Sequence, residues 1–271
     1  MNKNFVLFFF LSLFSFGICA QFGTIGYDFK DPYVDFCGLK FAIRLSTDNN
    51  IYCPNPEQLK IKKNSGNEVV LRSKSLSSAG GQLLSEGSIE LKISQAADHR
   101  ITISAQASHP SELVKTILVL IKGINVNFMV SEQPQAKGVQ EFKDKKGIRV
   151  NYPSRAATMP LVFFTTPDEE WHVLSKDRKI RRKGFACLYD HLTKEPVILL
   201  SHDADMKKIS NKINAPKWVL GKDRSRLEIV KERCVDLEQH FGLTPYNSKQ
   251  KVYTEWIDNL KVVAFLHGMH W

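Results

Sequence analysis

Most sites that announce themselves in a sequence are missing from this 271-residue chain. Only five cysteines occur, and no Cys-x-x-Cys or Cys/His spacing gathers ligands for a zinc centre. There is no Gly-x-Ser-x-Gly elbow, no phosphate-binding loop and no dinucleotide fingerprint, so the enzyme classes that carry those motifs are not signalled. No cofactor and no metal is implied. No segment recurs at a fixed period, which argues against a repeat architecture. Beyond the first twenty residues no apolar run is long enough to cross a bilayer as a helix. Acidic residues are also short, 28 against 38 Lys and Arg, for a formal charge of +10.

What is present is ordinary for a folded protein: 43% hydrophobic and 24% charged residues argue against disorder. The length allows one large or two modest domains with a substantial core. Residues 1–20 stand apart. Lys3 precedes the apolar run Phe5 to Phe16, and Ile18-Cys19-Ala20 ends on a small residue before Gln21. That is the pattern of a secretory signal peptide cut after Ala20; lipidation at Cys19 is the alternative, set against by the bulky Ile18 just before it. The expected location is secreted or periplasmic, and loss of Lys3 takes the charge from +10 to +9.

Residues 21–222 read as strand after strand. Leu39, Phe41, Ile43 and Leu45 alternate with partly polar neighbours, as do Val69 and Leu71, Ile89-Glu90-Leu91-Lys92-Ile93, and Ile101-Thr102-Ile103-Ser104-Ala105. That period of two puts one set of side chains in a core and the other in water. Turn-rich breaks such as Asp48-Asn49-Asn50 and Asn64-Ser65-Gly66-Asn67 separate them. Ile124-Asn125-Val126-Asn127-Phe128 alternates too, and further short strands follow to Trp218-Val219-Leu220. A mainly β fold, a large antiparallel β-sandwich, is predicted.

The texture changes over residues 223–253. Ser225-Arg226-Leu227-Glu228 has capping-box spacing, Leu227, Val230, Cys234, Leu237 and Phe241 recur on one helical face, and Gly242 stands where a left-handed stop belongs. A linker helix of about fifteen residues is predicted, followed by a loop containing Pro245. Residues 254–271 then open a third texture: Leu260-Lys261-Val262-Val263-Ala264-Phe265-Leu266 is the continuous apolar run of a strand covered on both faces. It predicts the first strand of an incomplete α/β barrel domain, whose parallel partners lie elsewhere.

This order of elements resembles the amino-terminal part of a carbohydrate-active enzyme. In several glycoside hydrolase families a galactose-mutarotase-like supersandwich precedes a (β/α)8 barrel, joined by a helical linker. Here the likeness rests on Leu113–Ile121 closed by Gly123, on Pro160-Leu161-Val162-Phe163-Phe164, and on the helix-to-strand passage from Arg226 to Trp271. The resemblance implies a carbohydrate partner and a missing carboxy-terminal barrel bearing the catalytic carboxylates, so no catalytic residue is assigned. It also implies that His267, His270 and Trp271 lie at the carboxyl end of the first barrel strand, the face where barrel sites form, for hydrogen bonding and stacking on sugar.

The basic run Lys176, Arg178, Lys179, Arg181, Arg182 and Lys183 stands between two readings: a contact for an acidic polysaccharide, or a solvated turn. No aromatic interrupts it to stack bases, which disfavours nucleic acid. A complete, non-catalytic sandwich binding such a polymer is the alternative to the hydrolase segment. Cys37 and Cys53 are a candidate disulfide across a hairpin. Asp168-Glu169-Glu170 reads as a charged turn in preference to a calcium site, and His202-Asp203-Ala204-Asp205 as the opening of a loop. Trp171, Trp218 and Trp256 read as core in preference to sugar platforms.

Overall fold

A computed structural model describes residues 24–28, 31–78, 81–132, 138–143, 146–191, 193–205, 209–222 and 224–242. The chain divides into two compact units at Asp223 and Arg224. The signal sequence, Trp256, the run Leu260–Leu266 and the trio His267, His270 and Trp271 lie outside the described residues.

The described part of the first unit is antiparallel β throughout. In chain order its strands are β1 (Thr24–Asp28), β2 (Asp31–Phe36), β3 (Leu39–Thr47), β4 (Ile51–Pro54), β5 (Lys60–Ser65), β6 (Glu68–Ser78), β7 (Leu83–Gln95), β8 (Ile101–Ser108), β9 (Val114–Lys122), β10 (Phe128–Ser131), β11 (Val139–Glu141), β12 (Ile148–Tyr152), β13 (Leu161–Thr165), β14 (Glu170–Ser175), β15 (Lys183–Asp190), β16 (Glu195–Asp203), β17 (Lys212–Asn214) and β18 (Trp218–Lys222). Sheet A runs β1-β2-β3-β9-β16-β15-β12. Sheet B runs β11-β10-β13-β14-β18-β8-β7-β6-β5, with β17 beside β18 on β8. Strand β4 crosses between them: Ile51 and Tyr52 pair with β3, while Cys53 and Pro54 pair with β6.

The alternation seen in the sequence is what makes two layers. From sheet A, Phe41, Ile43, Leu45, Ile117, Val119, Ile121, Phe185 and Leu200 turn inward; from sheet B, Leu71, Leu91, Ile93, Ile103, Val173 and Leu220 meet them. Each such side chain taken wholly from water contributes about 1.5–3 kcal/mol. The register fixes the opposite face just as firmly. Ile117, Val119 and Ile121 pair with His202, Leu200 and Ile198 on the core side, so Thr116, Leu118 and Leu120 pair with Asp203, Ser201 and Leu199 on the outer one.

Two expectations are corrected here. Ile124 to Asn127 is irregular chain: Val126 N–H closes on the Ile124 carbonyl at 3.1 Å, and β10 starts only at Phe128. Ile124 and Val126 are nonetheless buried, so the alternation marks their burial without a strand. Cys37 and Cys53 are both thiols, with no disulfide between them. Cys37 and Gly38, at φ 53° and 75°, make the two-residue turn between β2 and β3, as a type I′ hairpin requires. Cys53 instead follows Tyr52, which pairs with Leu45 near the far end of β3. At about 3.4 Å per residue the two cysteines lie roughly 20 Å apart, beyond any disulfide.

In the second unit, helix α1 spans Arg226–Phe241 with the capping box at Ser225 and Glu228 and Gly242 at φ 62°. Its buried residues are Ile229 and Arg233, Val230, Cys234 and Leu237 of the predicted face are half-buried, and Leu227 and Phe241 are exposed, so the covered stripe is shifted around the helix from the face the sequence suggested. Arg233 is retained on that stripe by a 2.6 Å ion pair to Asp236.

Candidate functional site

The outer face of sheet A carries a polar cleft of about 260 Å³, lined by Ser46, Thr116, Leu118, Arg149, Asn151, Arg182, Ser201 and Asp203. Five chain segments converge there because the register demands it. Arg149 and Asn151 of β12 pair with Ala186 and Gly184 of β15, which in turn pair with Leu199 and Ser201 of β16. Gly184 is the floor. A Cβ at that position would stand 2.5 Å from Ser201 Oγ and 3.4 Å from Asn151 Oδ1, so any larger residue fills the cleft.

Charge in the cleft is two arginines against one carboxylate. Asp203 accepts from Thr116 Oγ1 at 2.9 Å and meets Arg182 Nε at 3.4 Å. Arg149 is set by its backbone, which exchanges hydrogen bonds with the Gln140 side chain at 3.2 and 2.9 Å. The arrangement presents guanidinium, amide and hydroxyl groups that donate, with Asn151, Ser201 and Asp203 also accepting. Such a mixture suits a polyhydroxylated ligand. Among the lining residues Asp203 is the single carboxylate, and glycoside hydrolysis uses a pair.

Arg182 reaches this cleft from the basic run, in which Arg181 and Lys183 are tied to a buried aspartate. Asp177 is buried and accepts from Arg181 Nε and Lys183 Nζ, each at 2.8 Å, and from the Lys179 backbone at 3.0 Å. Burial opposes its charge, yet the hydrogen bonds from Arg181 and Lys183 outweigh that and hold the carboxyl well below its ordinary range. Lys183 is shut from solvent, donates also to the Arg181 carbonyl at 2.8 Å, and lies 5.2 Å from the Tyr152 ring centroid. Arg182 is thus held between two tied residues, with its carbonyl accepting from Asp203 N–H at 3.1 Å. Of the six basic residues proposed from sequence, Arg178 and Lys179 are exposed, Lys176 and Arg181 are half-buried, Lys183 is core, and Arg182 alone lines the cleft. They do not form one continuous cationic face.

His202 and Asp203 are adjacent but face opposite ways. His202 is buried, its Nδ1 lacks a partner, and burial together with the Arg181 and Lys183 cations pushes its imidazole down to about 3. Asp203 opens outward to the cleft. The sequence singled the pair out as a loop opening and missed that role for Asp203. Its signal was available only through the pairing of β16 with β9. Asp168 and Glu169 lie in the turn before β14, which Glu170 begins: Thr166 Oγ1 accepts from Glu169 N–H at 2.9 Å, and Glu169 pairs with Lys222 at 2.6 Å. Trp218 is core, and Trp171 is partly buried, with Lys222 Nζ 5.3 Å from its ring centroid.

A Ser–His pair elsewhere tests whether a nucleophile has been overlooked. Ser85 Oγ lies 3.0 Å from His109 Nε2. However, His109 Nδ1 accepts from the Glu112 and Ser111 backbones at 2.9 and 3.3 Å, so the ring proton sits on Nε2 and points at Ser85. A histidine that already donates to the hydroxyl cannot take its proton. The pair is a cap. Glu112, which accepts from Thr47 and Tyr52, completes that structural network.

No family model matches the chain, and no curated protein matches it. Among solved structures, the α-N-acetylgalactosaminidase NagBb of Bifidobacterium bifidum is similar with a TM-score of 0.54 and 9% identity, over 89% of this chain and 41% of that one. This chain therefore spans less than half the length of that enzyme. A GalM/aldose epimerase homologue from C. elegans aligns at 9% identity over 75% of this chain and 88% of its own, with a TM-score of 0.38. The similarity to the first is one of fold: this sandwich is an architecture that a carbohydrate-active enzyme also uses.

Proposed function

We propose that this chain is the sandwich part of an exported, glycoside-hydrolase-like protein, and that it supplies sugar-binding surface while the reacting carboxylates belong to barrel strands outside it. The observation that carries the reading is the cleft of Arg149, Asn151, Arg182, Ser201 and Asp203 over the Gly184 floor. Its groups hydrogen-bond hydroxyls and amide carbonyls, and its one carboxylate is already engaged on both oxygens. The signal-peptide pattern of residues 1–20 supports export, and the sandwich likeness supports the hydrolase relation. Because the structural relative is named for an N-acetylated sugar, N-acetylhexosamines and their oligomers are the first probes.

The test is a glycan array followed by titration calorimetry with the purified chain, alongside Arg149→Ala and Asn151→Ala. Binding that both variants weaken, with no release of p-nitrophenol from aryl glycosides, is the expected result. Turnover by the chain itself, or glycan binding indifferent to both substitutions, overturns the reading.

A further inference from the structure

A concentration of positive charge lies on sheet B, at a place the sequence did not single out. A groove of about 380 Å³ runs over the outer face of β5 and β6, lined by Glu57, Gln58, Lys60, Lys62, Arg72 and Lys74. Four cations against one carboxylate leave a net +3. Lys60 and Arg72 are register partners, and alternation puts Lys74 on the same side of β6 as Arg72. An irregularity brings Lys62 into play. The β5–β6 ladder skips Lys62 between Ile61 and Lys63, and the β6–β7 ladder skips Lys74 between Ser73 and Ser75. A residue left out of the ladder at a bulge is re-aimed by it, which applies to Lys62, the extra residue on β5; opposite Lys74 the extra residue falls on β7, where Gly87 and Ser88 lie between the partners Glu86 and Ile89, so Lys74 keeps the side that alternation gives it.

The contrast with the run at 176–183 decides which is the anion site. There Asp177 and Asp203 engage Arg181, Lys183 and Arg182, and Lys183 is shut from solvent. In the groove, Lys60, Lys62 and Lys74 have no ion pair among the described residues, and Arg72 only a 3.8 Å approach to Glu90, whose carboxylate also accepts from Gln106 at 2.7 Å. Lysines on an outermost strand guard against edge pairing, and β5 pairs with β6 alone among the described strands. That purpose accounts for Lys60 and Lys62. It does not account for Arg72 and Lys74, one strand further in.

We infer that this β5–β6 groove binds an anionic polysaccharide through its carboxylate or sulfate groups, with Lys60, Lys62, Arg72 and Lys74 as the contacts. A chain-like ligand fits an open, elongated groove with cations spaced about 5 Å across strands and 7 Å along them. The groove holds no aromatic platform for bases, which favours a glycan over nucleic acid. The site is separate from the sheet A cleft and goes beyond the function proposed above.

The experiment compares the full chain with two charge-matched variants, Lys60→Ala/Lys62→Ala and Arg178→Ala/Lys179→Ala, and with the fourfold groove variant. All carry surface substitutions, and circular dichroism checks their fold. Affinities for heparin and polygalacturonate are measured across a salt series, the two polymers separating sulfate from carboxylate recognition, with a 20-mer duplex DNA alongside. The groove pair is expected to elute from heparin at lower salt than the control pair, and the fourfold variant to bind about tenfold more weakly than the parent. Equal losses in the two pairs, no retention of the parent at low salt, or tighter binding to DNA than to either polysaccharide would each overturn the assignment. Variants in the sheet A cleft should leave heparin retention unchanged, so failure of one site is distinguishable from failure of the other.

Discussion

Lys183 Nζ and Asp177 Oδ2 stand 2.8 Å apart with both side chains shut away from solvent. The pair closes the turn between β14 and β15 and, through Arg181, fixes the backbone on either side of Arg182. Removing one partner leaves the other charge buried and unpaired, which costs about 3–5 kcal/mol, whereas replacing both by apolar residues of like volume is often neutral. Asp177→Ala should therefore destabilise strongly in urea unfolding, and Asp177→Leu/Lys183→Met should recover much of the loss. Because Arg182 loses its anchorage in both, sugar binding should stay weak even in the double variant. Recovery of binding with stability would show that Arg182 is placed independently.

His202 makes stability depend on pH in a definite direction. Its folded-state value of about 3 lies below the ordinary 6.5, so between those limits the unfolded chain holds a proton that the folded one does not. Stability then rises with pH across this window and is lost as acid is added, by up to about 1.4 kcal/mol per pH unit. Its Nδ1 makes no hydrogen bond, so His202→Leu removes the titration without removing a bond. Equilibrium unfolding at pH 5, 6 and 7, above the range where most carboxylates titrate, should show a slope in the parent and a much flatter line in His202→Leu. Parallel lines would mean that His202 is protonated in the native state.

Much of the sandwich was legible in the sequence because period-two alternation at Leu39–Leu45, Ile89–Ile93 and Ile101–Ala105 reports burial directly. The capping box at Ser225 and Glu228 and the stop at Gly242 were legible for the same local reason. The cleft was not, since Arg149, Arg182, Ser201 and Asp203 are brought together only by the pairing of β12, β15, β16 and β9. Neither was the β5–β6 groove, because the bulge at Lys62 is invisible to a strict alternation. Composition also left the 176–183 run open between two readings, because the buried Asp177 that ties Arg181 and Lys183 cannot be seen in it. The run Leu161-Val162-Phe163-Phe164 adds a lesson about Leu260–Leu266. β13 is continuously apolar and buried on both faces, yet it pairs antiparallel with β10 and β14. A continuous apolar run thus reports coverage of both faces and leaves strand direction open.

Gly184 offers a direct handle on the cleft. An alanine Cβ would meet Ser201 Oγ at 2.5 Å, a distance that forces one of them to move, and overpacking of this kind typically costs about 1–3 kcal/mol. Gly184→Ala should lower the midpoint of thermal unfolding and abolish glycan binding together. Adding Ser201→Ala removes the oxygen in conflict, so stability should return while binding stays impaired for want of the hydroxyl. A double variant as unstable as Gly184→Ala would place the conflict with Asn151 instead.

Helix α1 separates hydropathy from burial most cleanly. Leu227 and Phe241 are apolar yet 61% and 54% exposed, whereas Ile229 and Arg233 are 1% and 2% exposed. Arginine can occupy a covered stripe because its aliphatic stem packs while its head finds a partner, here Asp236. Truncating a buried isoleucine costs about 2–5 kcal/mol, while substitutions at exposed positions usually stay within ±0.5 kcal/mol. Ile229→Ala should thus be severely destabilising in proteolysis and unfolding assays that follow this helix, with Leu227→Ala close to the parent. The opposite ranking would restore the Leu227–Phe241 face as the covered one, and with it the orientation that hydropathy alone suggests.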